Sequence, residues 1–127
     1  AEIKNNEQSA IDNMKTLAEA IETYRKTYTR LPDNLAVLGP PPKGPAKSEK
    51  ADLIGADLAE GRKDGYSFRY VIVGANSSGA PAKYELAAIP TEYGRTGSLS
   101  FFRDDSGVLH GADRRGAVGS VTDPTVE

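Results

Sequence analysis

The sequence predicts an α+β domain: a long N-terminal helix packed on a roughly four-stranded antiparallel sheet, with a small helix in the connecting loop. Three observations predict it. Apolar residues recur at helical spacing over the first 28 positions, the period falls to two after Gly65, and a Pro-rich stretch separates the two regimes. A helix stripe and a sheet face are each unstable in water alone, so one has to cover the other. The expected layout is a single domain: helix over 1–28, connection over 29–65, sheet over 66–110 and an irregular tail over 111–127.

The helix comes first. Ile3, Ala10, Leu17 and Tyr24 lie seven residues apart; Glu7, Met14, Ile21 and Tyr28 run beside them, and Ile11 and Ala18 widen the band. This is the i, i+3, i+4, i+7 pattern of one apolar stripe. The chain opens Ala1-Glu2-Ile3-Lys4, already in phase and without a Ser, Thr, Asp or Asn cap, which predicts that helical residues precede Ala1 in the natural protein. Pro32 stops the helix and pushes Leu31 out of the α region. At 1.5 Å per residue the element is roughly 40 Å long. That exceeds the width of so small a domain, so part of it is expected to protrude.

The connection follows. Asp33 to Leu38 reads as a short helical turn, closed by Gly39 and Pro40-Pro41-Pro42, and residues 39–50 read as a solvated, partly extended connector. Ala51 to Glu60 is expected to form a second short helix with Leu53, Ile54 and Leu58 inward and Gly61 as its C-cap.

Strands occupy the rest. Tyr66, Phe68, Tyr70 and Ile72 alternate with Ser67, Arg69, Val71 and Val73. Gly74 to Ala82 is a small-residue loop, and Tyr84, Leu86 and Ala88 alternate again until Pro90. Leu99 to Arg103 turns through Asp104-Asp105-Ser106-Gly107 into Val108-Leu109-His110, with Gly107 at the left-handed position of a hairpin.

Composition narrows the function classes. The 127 residues carry 16 basic and 18 acidic side chains, a net charge of -2, so no field draws in nucleic acid or anionic lipid. No apolar run approaches the roughly 20 residues that cross a bilayer. Without Cys there are no disulfides, thiolate metal sites, Fe–S clusters or covalent haem. Tyr66, Phe68, Tyr70 and Tyr84 could stack bases, but with no basic groove beside them they are expected to form cross-strand core.

Candidate chemistry is sparse. Asp104, Asp105 and Asp113 are hard oxygen ligands close in sequence and form the one candidate Ca²⁺ set, although Asp-Asp-Ser-Gly is also what a hairpin turn requires by itself. The lone His110 is expected to be exposed on an edge strand, with no nucleophile elbow to serve. No cofactor and no enzymatic activity are expected.

In its order of parts the chain resembles the type IV pilins and the pilin-like pseudopilins of type II secretion. Asn6-Glu7-Gln8-Ser9-Ala10-Ile11 running to Tyr24 resembles the second half of the pilin's long helix, and Tyr28-Thr29-Arg30-Leu31-Pro32-Asp33-Asn34-Leu35 resembles its exit. Gly65 to Tyr70 with Tyr84 to Pro90 resembles the central hairpin of Cys-free pilin-like proteins. Gly94, Thr96-Gly97 and Ser100 to Leu109 resemble the last one. The family's peptidase site and apolar half-helix are not in this sequence, which fits a truncated pilin or a split one whose hydrophobic helix is a separate chain.

The resemblance implies a structural subunit of a bacterial surface filament serving adhesion, motility or DNA uptake, or alternatively a periplasmic pseudopilin of a secretion system, with Ca²⁺ as a possible ligand. Its partners would be other copies of itself or related pilins, and its membrane contact would run only through the absent apolar segment. Ile3, Glu7, Ala10 and Ile11 are then expected partly at subunit contacts. Met14, Leu17, Ile21 and Tyr24 are expected to seat the helix on its own sheet.

Overall fold

A computed structural model describes residues 2–28, 31–41, 44–47, 50–73, 83–104, 106–120 and 122–126. The predicted loop over 74–82 and Asp105 of the candidate Ca²⁺ set lie outside the described residues. Helix α1 spans Glu2–Tyr28, a 3-10 turn spans Leu35–Leu38, and helix α2 spans Ala56–Glu60. Strands β1 (Arg62–Lys63), β2 (Tyr66–Val73), β3 (Lys83–Pro90), β4 (Leu99–Asp104) and β5 (Leu109–Asp113) follow. They form one antiparallel meander in the order β1-β2-β3-β4-β5, with α1 laid across β3 and β4. The arrangement is α+β, with five strands rather than four.

The extra strand is β1. Asp64 (φ 52°) and Gly65 (φ 80°) both take left-handed backbone, the two-residue turn that matches the twist of a hairpin. This turn pairs Lys63 with Tyr66 and Arg62 with Ser67. Two charged residues carry no alternation, so the strand has no periodic signature. Helix α2 is shorter than expected for a different reason. The N–H groups of Ala51, Leu53 and Ile54 are taken by the carbonyls of Val37 and Leu38, which leaves residues 51–55 outside the helix.

The core lies between α1 and the sheet. The register puts Tyr66, Phe68 and Tyr70 of β2 on the same face as Ala88, Leu86 and Tyr84 of β3 and Phe101 of β4. Met14, Leu17, Ile21 and Phe101 are fully buried there, and Tyr24 is 1% exposed. Burying one such side chain is worth about 1.5–3 kcal/mol, so this seam holds helix and sheet together. Tyr70 adds a fixed point by donating from its hydroxyl to the Pro32 carbonyl at 2.7 Å, where the chain leaves α1.

The opposite face of the sheet is covered by the C-terminal segment, and two expectations change as a result. Strand β5 continues to Asp113 instead of ending near residue 110, and the tail is ordered against the sheet. The Ser100 hydroxyl donates to the Ala117 carbonyl at 2.7 Å, Arg114 pairs with the Asp123 carboxylate, and Ser120 N–H donates to Asp123 at 2.9 Å. The tail then runs beside β5, with Gly111 N–H to Pro124 and Val126 N–H to Leu109. These bonds join side chains and turns rather than a periodic element, so no apolar pattern announces them.

Candidate functional site

The first half of α1 is where the chain's own core gives way to exposed surface. Asn6 Nδ2 donates to the Thr96 carbonyl at 3.0 Å, and the Glu7 carboxylate accepts the N–H groups of Ser98 and Leu99, each at 3.0 Å. The helix is therefore tied to the end of the sheet from Asn6 onward. Only its first turn runs free of these ties, a shorter overhang than the length of α1 suggested.

Glu7 is thus a structural carboxylate. It satisfies two donors at the start of β4 that the β3–β4 ladder does not reach. Tyr66 completes the junction: its hydroxyl donates to the Leu99 carbonyl at 2.6 Å. Burial, followed by the nearby Glu7 charge, pushes the Tyr66 phenol well above the ordinary tyrosine range. Gly97 makes room for that ring, since a Cβ there would lie 2.3 Å from the Tyr66 hydroxyl.

The four residues expected at subunit contacts separate into two groups. Ala10 is fully buried on the chain's own sheet, so it is not available to a neighbour, and Glu7 is engaged within the domain. The seam with the sheet begins a turn earlier than the spacing alone indicated, because the loop after β3 rises to meet the helix. Ile3 and Ile11 remain partly exposed. Ile11 forms one wall of a groove of about 340 Å³ between α1 and the β4–β5 hairpin, together with Lys15, Arg103, Val108, Leu109 and Val126. Arg103 Nε is buried in this region with no hydrogen-bond partner among the described residues.

The two described members of the candidate Ca²⁺ set, Asp104 and Asp113, do not come together. Asp113 lies opposite Leu99 at one end of β4, while Asp104 ends that strand five residues on, roughly 17 Å away at strand spacing. Each has its own work. Asp104 accepts the Ser106 N–H at 2.9 Å and shapes the hairpin turn. Asp113 accepts the Tyr93 hydroxyl at 2.7 Å and the Arg115 N–H at 3.1 Å. Both carboxyls are held below the usual carboxylate range, Asp104 chiefly by hydrogen bonding from the Ser106 side chain and Asp113 chiefly by the Tyr93 hydroxyl. Among the described residues no three His, Cys, Asp or Glu side chains converge as a metal site.

His110 is buried, not exposed. It is 8% accessible, its Nδ1 lies 2.8 Å from the Asp123 carbonyl, and its ring sits beside Phe102. The C-terminal segment covers it, which the sequence did not signal. Sequence reasoning also missed the end of β2, where Val71, Ile72 and Val73 are all exposed. Three consecutive β-branched residues were the available signal. No protein-family model matches this chain, and no curated protein or solved structure matches it.

Proposed function

We propose that this chain is the head of a structural subunit in a type IV pilus-like filament on the bacterial surface, serving adhesion, motility or DNA uptake, with no catalytic role. The observation that supports this reading is the apolar ridge of α1. Ala10, Met14, Leu17, Ile21 and Tyr24 are consumed by the chain's own sheet, whereas Ile3, in phase with them, and Ile11 on the flank stay partly exposed. A helix with more apolar ridge than its own sheet covers suits packing against neighbouring helices. Contacts that run from this ridge to a different surface on the next copy are heterologous, and they propagate into a helical fibre rather than closing.

In this reading a hydrophobic helix, continuous with α1 or carried by a companion chain, holds the subunit in the inner membrane before assembly and packs in the filament core afterwards. The meander sheet and its C-terminal cover form the outer surface. Immunogold electron microscopy of the source cells with an antibody against this domain tests the proposal. Label along surface filaments is expected. Label confined to the periplasm in cells that bear unlabelled filaments would replace it with the pseudopilin reading, and label in the cytoplasm would refute both.

A further inference from the structure

The two edges of the sheet are finished differently. Beside β5 the C-terminal segment supplies backbone partners, through Gly111 to Pro124 and Val126 to Leu109. Beside β2, strand β1 pairs only with Tyr66 and Ser67, and one more bond, Phe68 N–H to the Gly61 carbonyl at 2.8 Å, ends the cover. Residues 69–73 continue without it. Because Phe68 directs its N–H away from β3, the two-residue alternation of the ladder directs the N–H and C=O groups of Tyr70 and Ile72 the same way. No backbone group among the described residues meets them.

The side chains on this stretch match the exposed backbone. Val71 is 52% exposed, and Ile72 and Val73 are 39% exposed each. The usual protections of an edge strand are a Lys, a Pro or a bulge. None occurs between Arg69 and Val73, where Arg69 is the one charged residue.

We propose that this edge pairs with the same edge of a second copy, β2 against β2, antiparallel about a two-fold axis through Val71. The register is self-complementary. Tyr70 of each copy faces Ile72 of the other, and each such pair exchanges two N–H to C=O bonds, so the outward N–H and C=O groups of Tyr70 and Ile72 are used in both strands. Val71 meets Val71 of the second copy at the axis. Arg69 faces Val73 of the second copy, so no like charges are opposed, and each Arg69 shares a small cavity with Glu85 of its own β3. A two-fold contact is isologous and closes on itself. It is therefore distinct from the filament contacts along α1 and does not rest on them.

The contact is small, below the roughly 1,200 Å² of a stable interface, so a rapidly exchanging dimer is expected. The absence of Cys from the sequence makes cross-linking a clean test. Directly opposed residues that do not exchange hydrogen bonds lie about 4.5 Å apart at Cα, within disulfide reach. Under mild oxidation the full chain with Val71→Cys should form a covalent homodimer many times faster than with Val108→Cys, an exposed residue on the β4–β5 turn. Adding Ile72→Pro should abolish the difference, because it removes an outward N–H while sparing the β3 ladder.

Circular dichroism checks that each variant keeps its helix. If the proline variant fails to fold, Val71→Lys serves instead, with the concentration dependence of diffusion as readout. It should remove any association seen in the parent chain. Cross-linking of Val71→Cys no faster than of Val108→Cys, or association that survives Val71→Lys, overturns the proposal. A dimer that persists with Ile72→Pro overturns the register.

Discussion

The Tyr66 hydroxyl on β2 donates to the Leu99 carbonyl on β4, a 2.6 Å bond that passes over β3. Leu99 is held from its other side by Glu7, through its N–H. Leu99 therefore ties α1 and β2 to β4. Tyr66→Phe keeps the ring and deletes the bond, leaving a carbonyl unpaired near the core. The expected loss is about 1–2 kcal/mol, read as a lower urea midpoint at unchanged slope.

The same burial makes the fold sensitive to alkali. Tyr66 and Tyr70 are both shifted above the ordinary tyrosine range, mainly by desolvation. Unfolded tyrosine loses its proton near pH ~10, while the folded residues hold theirs. Stability from this source is complete below that pH and is lost as pH rises through it toward the folded values. Thermal midpoints should therefore fall steeply above about pH 10, and Tyr66→Phe should flatten that fall.

Acid should act through the C-terminal segment. Arg114, by hydrogen bonding, holds the Asp123 carboxyl below its usual range. Asp123 then contributes stability above the unfolded value of about 3.9, and that contribution disappears as pH drops through the lowered folded value. Asp123→Asn should remove this dependence and loosen the cover over Ser100 and His110. Hydrogen exchange is the measurement: faster exchange at residues 109–120 is expected, with α1 and β3 unchanged.

Asn13 offers a prediction of the opposite sign. It is 8% exposed, and its Nδ2 has no hydrogen-bond partner among the described residues. An unpaired buried donor costs about 1–3 kcal/mol, and Ala is the better helix former. Asn13→Ala should raise the denaturation midpoint, whereas most substitutions at buried positions lower it.

How far the sequence reaches depends on how periodic each element is. Helix α1 was legible because Ile3 through Tyr24 keep one phase, and β3 because Tyr84, Leu86 and Ala88 alternate up to Pro90. Strand β1 was not, since Arg62 and Lys63 owe their pairing to the Asp64-Gly65 turn. The cover over His110 was not either, since it depends on Arg114, Ser120 and Asp123 meeting in space. Glu7 shows the same limit at the candidate site: its place on the helix stripe was visible, but its bonds to Ser98 and Leu99 join residues about 90 positions apart.

Helix α1 is proposed to carry two functions along one ridge, an inner stretch for the chain's own sheet and an outer stretch for its neighbours. Thermal melting of Leu17→Asp and Ile3→Asp, paired with electron microscopy of source cells expressing each variant, separates the two stretches. Leu17→Asp should unfold the domain, while Ile3→Asp should melt like the parent chain and yet abolish the filaments. Ile3→Asp lowering the midpoint as far as Leu17→Asp, or leaving filaments intact, would contradict this division.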